Sequence, residues 1–190
     1  MHTIRTLMPW ELWKYRDHLL RLDAEDRRLR FGSALGDEAV RRFAERMDPA
    51  RNLILVYCEN GGEVVGAVHV AISGRESVEL GFSVERRYRG ARIGTALCER
   101  ALLASRNRGF RRAVVYCLPE NMAMRRLALR CGLSMRFGDT ECEGSLALLP
   151  PTPLTIVKEF STEALGTCFV AVIMYRRALG GFQGSPYAVG

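Results

Sequence analysis

The sequence predicts an α/β chain of the α+β kind. The expected core is a mixed, mostly antiparallel sheet of six to seven strands, flanked by helices and followed by a C-terminal helical extension. Two observations carry that expectation. Between Leu53 and Val84 the apolar residues fall into three consecutive strand-like runs joined by short turns, which implies an antiparallel meander. From Val78 to Leu118 a strand, a helix and a strand follow at compact spacing, which implies one parallel pairing within the sheet. A chain of 190 residues is by default one domain and can bury a full core.

Residues 3–8 read as an opening strand, and Pro9 suits a first helical turn. Leu12, Tyr15, Leu19 and Leu22 follow at helical spacing. Asp23 can cap a second helix that Gly32 ends. A third helix begins near Asp37, buries Val40, Phe43, Ala44 and Met47, and stops at Asp48-Pro49. Strands over 53–58 and 64–72 flank the hairpin signal Asn60-Gly61-Gly62. In the next strand Val78, Leu80, Phe82 and Val84 alternate with Glu79, Gly81 and Ser83. A helix over 93–107 carries the stripe Ile93, Leu97, Ala101 and Ala104. Residues 111–118 form a strand, and 121–131 a helix with Met124, Leu127, Ala128 and Cys131 inward and Gly132 at its stop. Two short strands, 133–137 and 145–149, complete a main domain of 1–149. Pro150-Pro151-Thr152-Pro153 opens a second segment, 150–190, with a helix over about 154–178. That helix can cover the domain or form a homodimer contact, packing back onto the core being the plainer reading.

Composition narrows the function. Hydrophobic content of 48% and charged content of 26% are those of an ordinary globular protein. No apolar run reaches the roughly 18–20 residues that span a bilayer. The opening MHTIRTLMPWELWKYR has no apolar signal core, so the expected location is the cytoplasm. Six cysteines without a C-x-x-C pair and three scattered histidines argue for free, mostly buried thiols and against a metal site. The net charge of +7 is carried almost wholly by arginine. Without a basic stripe and interleaved aromatics, solvated arginine faces are favoured over nucleic-acid binding. A positive field still helps to recruit an anionic ligand.

The chemistry concentrates in the turn Tyr88-Arg89-Gly90-Ala91-Arg92-Ile93-Gly94-Thr95. Gly90 and Gly94 permit close approach of backbone to ligand, successive N–H groups at a helix start favour negative charge, and Arg89 and Arg92 add charge-assisted hydrogen bonds. Such a turn can wrap a pyrophosphate or be an ordinary strand–helix connection. Glu79, upstream on the strand, is a candidate base or a solvated strand glutamate.

Around that turn the chain resembles the GNAT superfamily of acyl-CoA-dependent N-acyltransferases. The family pattern [Q/R]-x-x-G-x-[G/A] after a strand ending in valine is met by Val84 and then Arg89-Gly90-Ala91-Arg92-Ile93-Gly94. A second signature, an asparagine opening a helix that ends in a Gly-Phe-like pair, is met by Asn121 and Gly132-Leu133. The similarity covers residues 3–149 and is most specific over 78–133. The segment 22–43, with its Leu29-Arg30-Phe31 motif, is similar to single-domain and protein-acetylating branches. Two positions depart: Arg92 replaces the central signature glycine, and Ala128 stands where many relatives carry a tyrosine that protonates the leaving thiolate.

The resemblance implies acetyl-CoA as co-substrate and an amine acceptor, on a small molecule or a protein lysine. It implies transfer within a ternary complex. Glu79 would act as base, with burial raising its pKa. A main-chain N–H near Leu80 would steady the oxyanion, at a bulge for which Gly81 is suited. Phe82, Ser83 and Val84 would pair with the pantetheine arm. The loop Arg89, Gly90, Ala91, Arg92, Ile93, Gly94 and Thr95 would hold the phosphates. Asn121 would bond the cofactor or cap its helix. A thiol, with a pKa near about 8.5, leaves tolerably without an acid, and Tyr116 is a substitute acid or a buried strand residue. His69 reads as structural. Trp10 and Trp13 read as packing residues rather than pocket lining. The alternative reading is a non-catalytic acyl-CoA-binding regulatory module.

Overall fold

The computed structural model describes residues 3–59 and 62–165. Seven strands form one sheet in the order β1-β2-β3-β4-β5-β7-β6. They are β1 (Thr3–Thr6), β2 (Asn52–Cys58), β3 (Val64–Ile72), β4 (Ser77–Val84), β5 (Arg112–Cys117), β6 (Ser134–Phe137) and β7 (Cys142–Ala147). Only β4 and β5 pair in parallel; every other neighbour is antiparallel. The expected meander and the single crossover are both present. Helices α1 (Leu12–Arg21), α2 (Ala24–Phe31), α3 (Asp37–Glu45), α4 (Ile93–Asn107) and α5 (Met122–Arg130) flank the sheet. A sixth helix, α6, runs over 153–165. Among the described residues no helix is long and apolar enough to cross a membrane.

Local chemistry explains most boundaries. The Asp23 carboxylate accepts from the Asp26 N–H at 2.8 Å and caps α2. Gly32, at φ 75°, ends that helix in the left-handed conformation. Pro9 opens a 3₁₀ turn, Pro9–Glu11, rather than α1 itself. The last strand starts at Cys142, not Ser145. Gly144 lies under α5, where a Cβ would meet Val115 at 2.7 Å, so the close packing of helix on strand requires glycine there. The hairpin residues 60–61, and the chain beyond 165 including Cys168, lie outside the described residues.

The sheet separates two cores. One face packs Leu55, Val68, Val78, Leu80, Val115 and neighbours under α4 and α5. The other packs Val56, Ala67 and Ile54 against Tyr15, Leu19 and Val40 of α1 and α3. Replacing a fully buried leucine such as Leu97 by alanine in a core of this kind costs about 2–5 kcal/mol. The described part of the helical extension meets the domain through polar groups: Glu159 meets Arg108 at 2.7 Å and Asn107 at 2.8 Å, and Glu163 meets Arg100 at 2.9 Å. Its Leu154, Val157, Phe160 and Leu165 are exposed. Trp10 and Trp13, expected to pack, are exposed as well, because α1 turns Tyr15, His18 and Leu19 inward instead.

Candidate active site

The site starts where β4 and β5 part. Their pairing covers only Ser77, Glu79 and the residue between, against Arg112–Val114. Beyond it the strands diverge. The expected bulge at Gly81 is absent: β4 pairs β3 without a register shift from Val78 to Val84. Ladder parity then decides which amides face the opening. Ser77 accepts from Ser73 N–H at 2.9 Å, and Glu85 N–H donates to Val65 at 3.0 Å, each directly opposite its partner. The odd-numbered residues of β4 therefore bond β3 and the even-numbered ones face β5: Leu80 stands at the end of the β4–β5 pairing, beside Val114, and the main-chain groups of Phe82 and Val84 aim into the gap beyond it.

The gap leads at one end into a cleft of about 480 Å³. Phe82, Ser83, Val84, Arg89, Gly90, Arg92, Ile93, Gly94, Thr95 and Asn121 line it, together with Arg126 and Arg130 of α5. Ala91 lies in the same turn and is exposed. Gly90 has φ 85° and Arg92 φ 59°, so the chain enters α4 through two left-handed residues. The N–H groups of Ile93, Gly94 and Thr95 have no acceptor inside the helix. With the lining arginines Arg89, Arg92, Arg126 and Arg130, and Arg30 at the far end, this donor set suits a pyrophosphate and a further phosphate. Gly94 serves helix packing: a Cβ there would meet Leu127 of α5 at 3.3 Å. Arg89 is already engaged, with Nη2 2.7 Å from Asp26 and Nε donating to the Val84 carbonyl at 3.1 Å.

At its other end the gap meets a second cavity, of about 280 Å³, lined by Glu79, Tyr116, His69, Arg30, Phe31, Phe43 and Phe82 among others. Glu79 is exposed and makes no ion pair among the described residues, so the expected burial of its carboxyl is not found. Tyr116 is 42% exposed rather than buried, since even-numbered residues of β5 turn away from the α4 core. Burial of its ring and then the charges of Glu143 and Glu79 raise its pKa. His69 is 8% exposed, with Nε2 2.6 Å from Asn52 Oδ1. Burial, and then the charge of Arg30, lower its pKa to about 4.

Leu29, Arg30, Phe82, Asn121 and Met124 line both cavities, and hydrogen bonds fix two of the side chains around them. Asn121 caps α5 by accepting from Met124 N–H at 3.0 Å, and its amide donates to the Leu29 carbonyl at 3.3 Å. Ser83 gives its hydroxyl to His18, 2.9 Å from Nε2, while His18 Nδ1 stands 3.3 Å from Glu85. That buried chain locks α1 onto β4. It leaves Phe82 and Val84 as the residues whose edge groups face the cleft.

Residues 16–133 match the family described as the Acetyltransferase (GNAT) family. The chain belongs to the GNAT acetyltransferase family. Solved GNAT structures share its fold. The GNAT domain of S. lividans PAT matches at a TM-score of 0.66 and 22% identity, over 76% of this chain and 89% of that one. Spermidine N-acetyltransferase from Vibrio cholerae, solved with CoA and spermine, matches at 0.62 and 14%, over 77% and 95%. The ribosomal-protein-S18-alanine N-acetyltransferase from Escherichia coli matches at 0.60 and 16%, over 80% and 97%.

Against the GNAT pattern, Arg92 adopts the left-handed conformation that favours glycine, which gives a physical reason for the glycine in the pattern. Ala128, on the inner face of α5, is fully buried. A Cβ on Gly144 would stand 3.5 Å from the Ala128 Cβ, so packing at this position is already close. Sequence reasoning missed Asp26, Arg126 and Arg130 as lining residues. The i, i+4 spacing of Arg126 and Arg130 on a helix beside the turn was the available signal. Asp26 had none, because it arrives from a separate helix.

Proposed function

We propose that this GNAT protein transfers an acetyl group from acetyl-CoA to a primary amine, directly and within a ternary complex. One observation carries the reading: the row of edge amides at Leu80, Phe82 and Val84, running from the basic cleft to the cavity that holds Glu79. Acetyl-CoA supplies an acyl carbon on a thiol leaving group. Ile93, Gly94, Thr95 and the cleft arginines hold its phosphates. Phe82 and Val84 pair with its amide-bearing arm as an added strand would. A main-chain N–H near Leu80, where β4 and β5 part, faces the negative charge that develops on the carbonyl oxygen. Glu79 takes the ammonium proton, through water where the reach is long; the nitrogen then bonds the acyl carbon as the C–S bond breaks. Tyr116, beside Glu79, gives its proton to the departing sulfur and recovers the second proton that the nitrogen sheds. Much of the rate comes from holding two substrates in one geometry. Such a reaction fits a cytoplasmic protein with free thiols at Cys58, Cys98, Cys117, Cys131 and Cys142.

A second reading, a non-catalytic acyl-CoA-binding module, is favoured by the buried Ala128 in place of an acid. Thiol release from acetyl-CoA, measured across a panel of amines for the wild type and Glu79→Gln, separates the two. Acyl transfer predicts amine-dependent thiol release that the substitution suppresses. Binding of acetyl-CoA without thiol release from any amine sinks the enzyme reading.

A further inference from the structure

An arginine without a counter-charge sits where the two cavities join. Arg30, on α2, lines both. Its guanidinium lies against Gly81, where any Cβ would collide with it. Its contacts are weak. Nη2 is 3.5 Å from the Tyr15 hydroxyl and 3.5 Å from His69 Nδ1, and Cζ is 4.8 Å from the Phe31 ring centroid. Three other arginines with a buried Nε differ. Arg5 meets Glu11 at 2.5 Å, Arg27 meets Asp37 at 2.6 Å and Arg100 meets Glu163 at 2.9 Å. All four have a buried Nε without a partner, yet only Arg30 of the four lacks a carboxylate among the described residues.

The surroundings keep it so. Asn52 Nδ2 donates to the Asp48 carbonyl at 2.8 Å, which leaves Oδ1 to accept from His69 Nε2. The unprotonated Nδ1 of a neutral His69 then faces Arg30. An unpaired guanidinium drawn partly out of water is costly, and a planar carboxylate is the partner that relieves it best. Gly81 lies two residues beyond Glu79 on the same face of β4, about 7 Å along the strand. A carboxylate at Arg30 is thus within a small molecule's reach of the reacting nitrogen or of the acyl carbon.

We propose that Arg30 is the receptor for a carboxylate carried by one of the two substrates, either an acidic amine such as a free amino acid or a dicarboxylic acyl thioester. The inference rests on the acyl-transfer reading and names its substrate class. Four arms separate the sources: acetyl-CoA or succinyl-CoA, each with the common L-amino acids or the amines formed by their decarboxylation. The expected result is a preference for the carboxylated member of one pair by about 10–100-fold in kcat/KM. Arg30→Gln removes that preference, lowering kcat/KM for the carboxylated substrate far more than for its uncharged counterpart. Gly81→Ala, which pushes the guanidinium aside and keeps its charge, reproduces the loss. Equal turnover of charged and uncharged substrates overturns the proposal and leaves acyl transfer standing. An equal fall in both with Arg30→Gln also overturns it, in favour of a packing role. Where no pair releases thiol, calorimetry decides. A carboxylate preference in binding to CoA-loaded protein that Arg30→Gln abolishes supports the receptor and sinks acyl transfer; equal binding sinks the receptor.

Discussion

The two cavities beside β4 are built from different materials. The basic cleft is made largely of main chain: the edge amides of Leu80, Phe82 and Val84, the left-handed turn at Gly90 and Arg92, and the start of α4. The second cavity, proposed to take the acceptor, is made of side chains brought from α2, α3, β3, β4 and β5, namely Arg30, Phe43, His69, Glu79 and Tyr116. A surface made of backbone keeps its function through many substitutions. A surface made of side chains changes its ligand with a few. The difference accounts for a family that shares one co-substrate fold and varies the acceptor, and it directs the experiments.

The largest effect falls on the acceptor side. Glu79→Gln is expected to lower kcat by about 10²–10³-fold with acetyl-CoA affinity unchanged, because proton removal and phosphate holding lie in separate cavities. Steady-state kinetics with calorimetric binding check both halves, and a parallel loss of acetyl-CoA affinity breaks the division. Acid comes next. His69 titrates near 4 in the folded chain against an ordinary value of about 6.5, so the unfolded chain takes up the proton first as pH falls. Stability is full above about pH 6.5 and declines by about 3 kcal/mol as pH falls through 4. Glu11 acts in a lower window. Burial opposes its charge, but hydrogen bonds from Arg5 and Lys14 hold it at about 2, so its contribution is present above about pH 4.5 and lost toward 2. Urea midpoints measured from pH 7 to 4 should fall for the wild type and stay flatter for His69→Gln.

Smaller effects belong to the cleft. Asp26→Asn frees the exposed Arg89 from its buried partner and is expected to tighten acetyl-CoA binding about fivefold, the scale of an ion pair near 1 kcal/mol. Weaker binding instead would mean that Asp26 aims Arg89 rather than occupies it. The smallest effect is that of Arg92→Gly. Relief of the left-handed conformation is expected to raise stability by up to about 1 kcal/mol, while a lost cation weakens acetyl-CoA slightly. Thermal midpoints with and without ligand read the two changes separately.

The same contrast decided what could be read from sequence. Alternation over 78–84, the cap at Asp23, the stop at Gly32 and the turn into α4 are local patterns, and they were legible. Gly81 is not the bulge residue expected, and Gly144 carried no local signal, because their reasons lie elsewhere in the chain, in the Arg30 guanidinium and in Val115. The 3₁₀ turn at Pro9, exposed Trp10 and Trp13, exposed Tyr116, and the outward apolar residues of α6 follow from tertiary choices that spacing does not encode. Arg30 was visible in the Leu29-Arg30-Phe31 motif, but its missing counter-charge was not.

The alternation of β4 has a consequence for insertions and deletions. One strand serves three surfaces at once: odd amides hold β3, even amides front the gap, and odd side chains look into the acceptor cavity. Removing a single residue between Ser77 and Val84 would exchange all three together, burying Glu79 in the α4 core and closing the row of free amides against β3. This segment can drift in composition but not in length. Lineages that lose the activity by a single indel here would lose binding and chemistry in the same step.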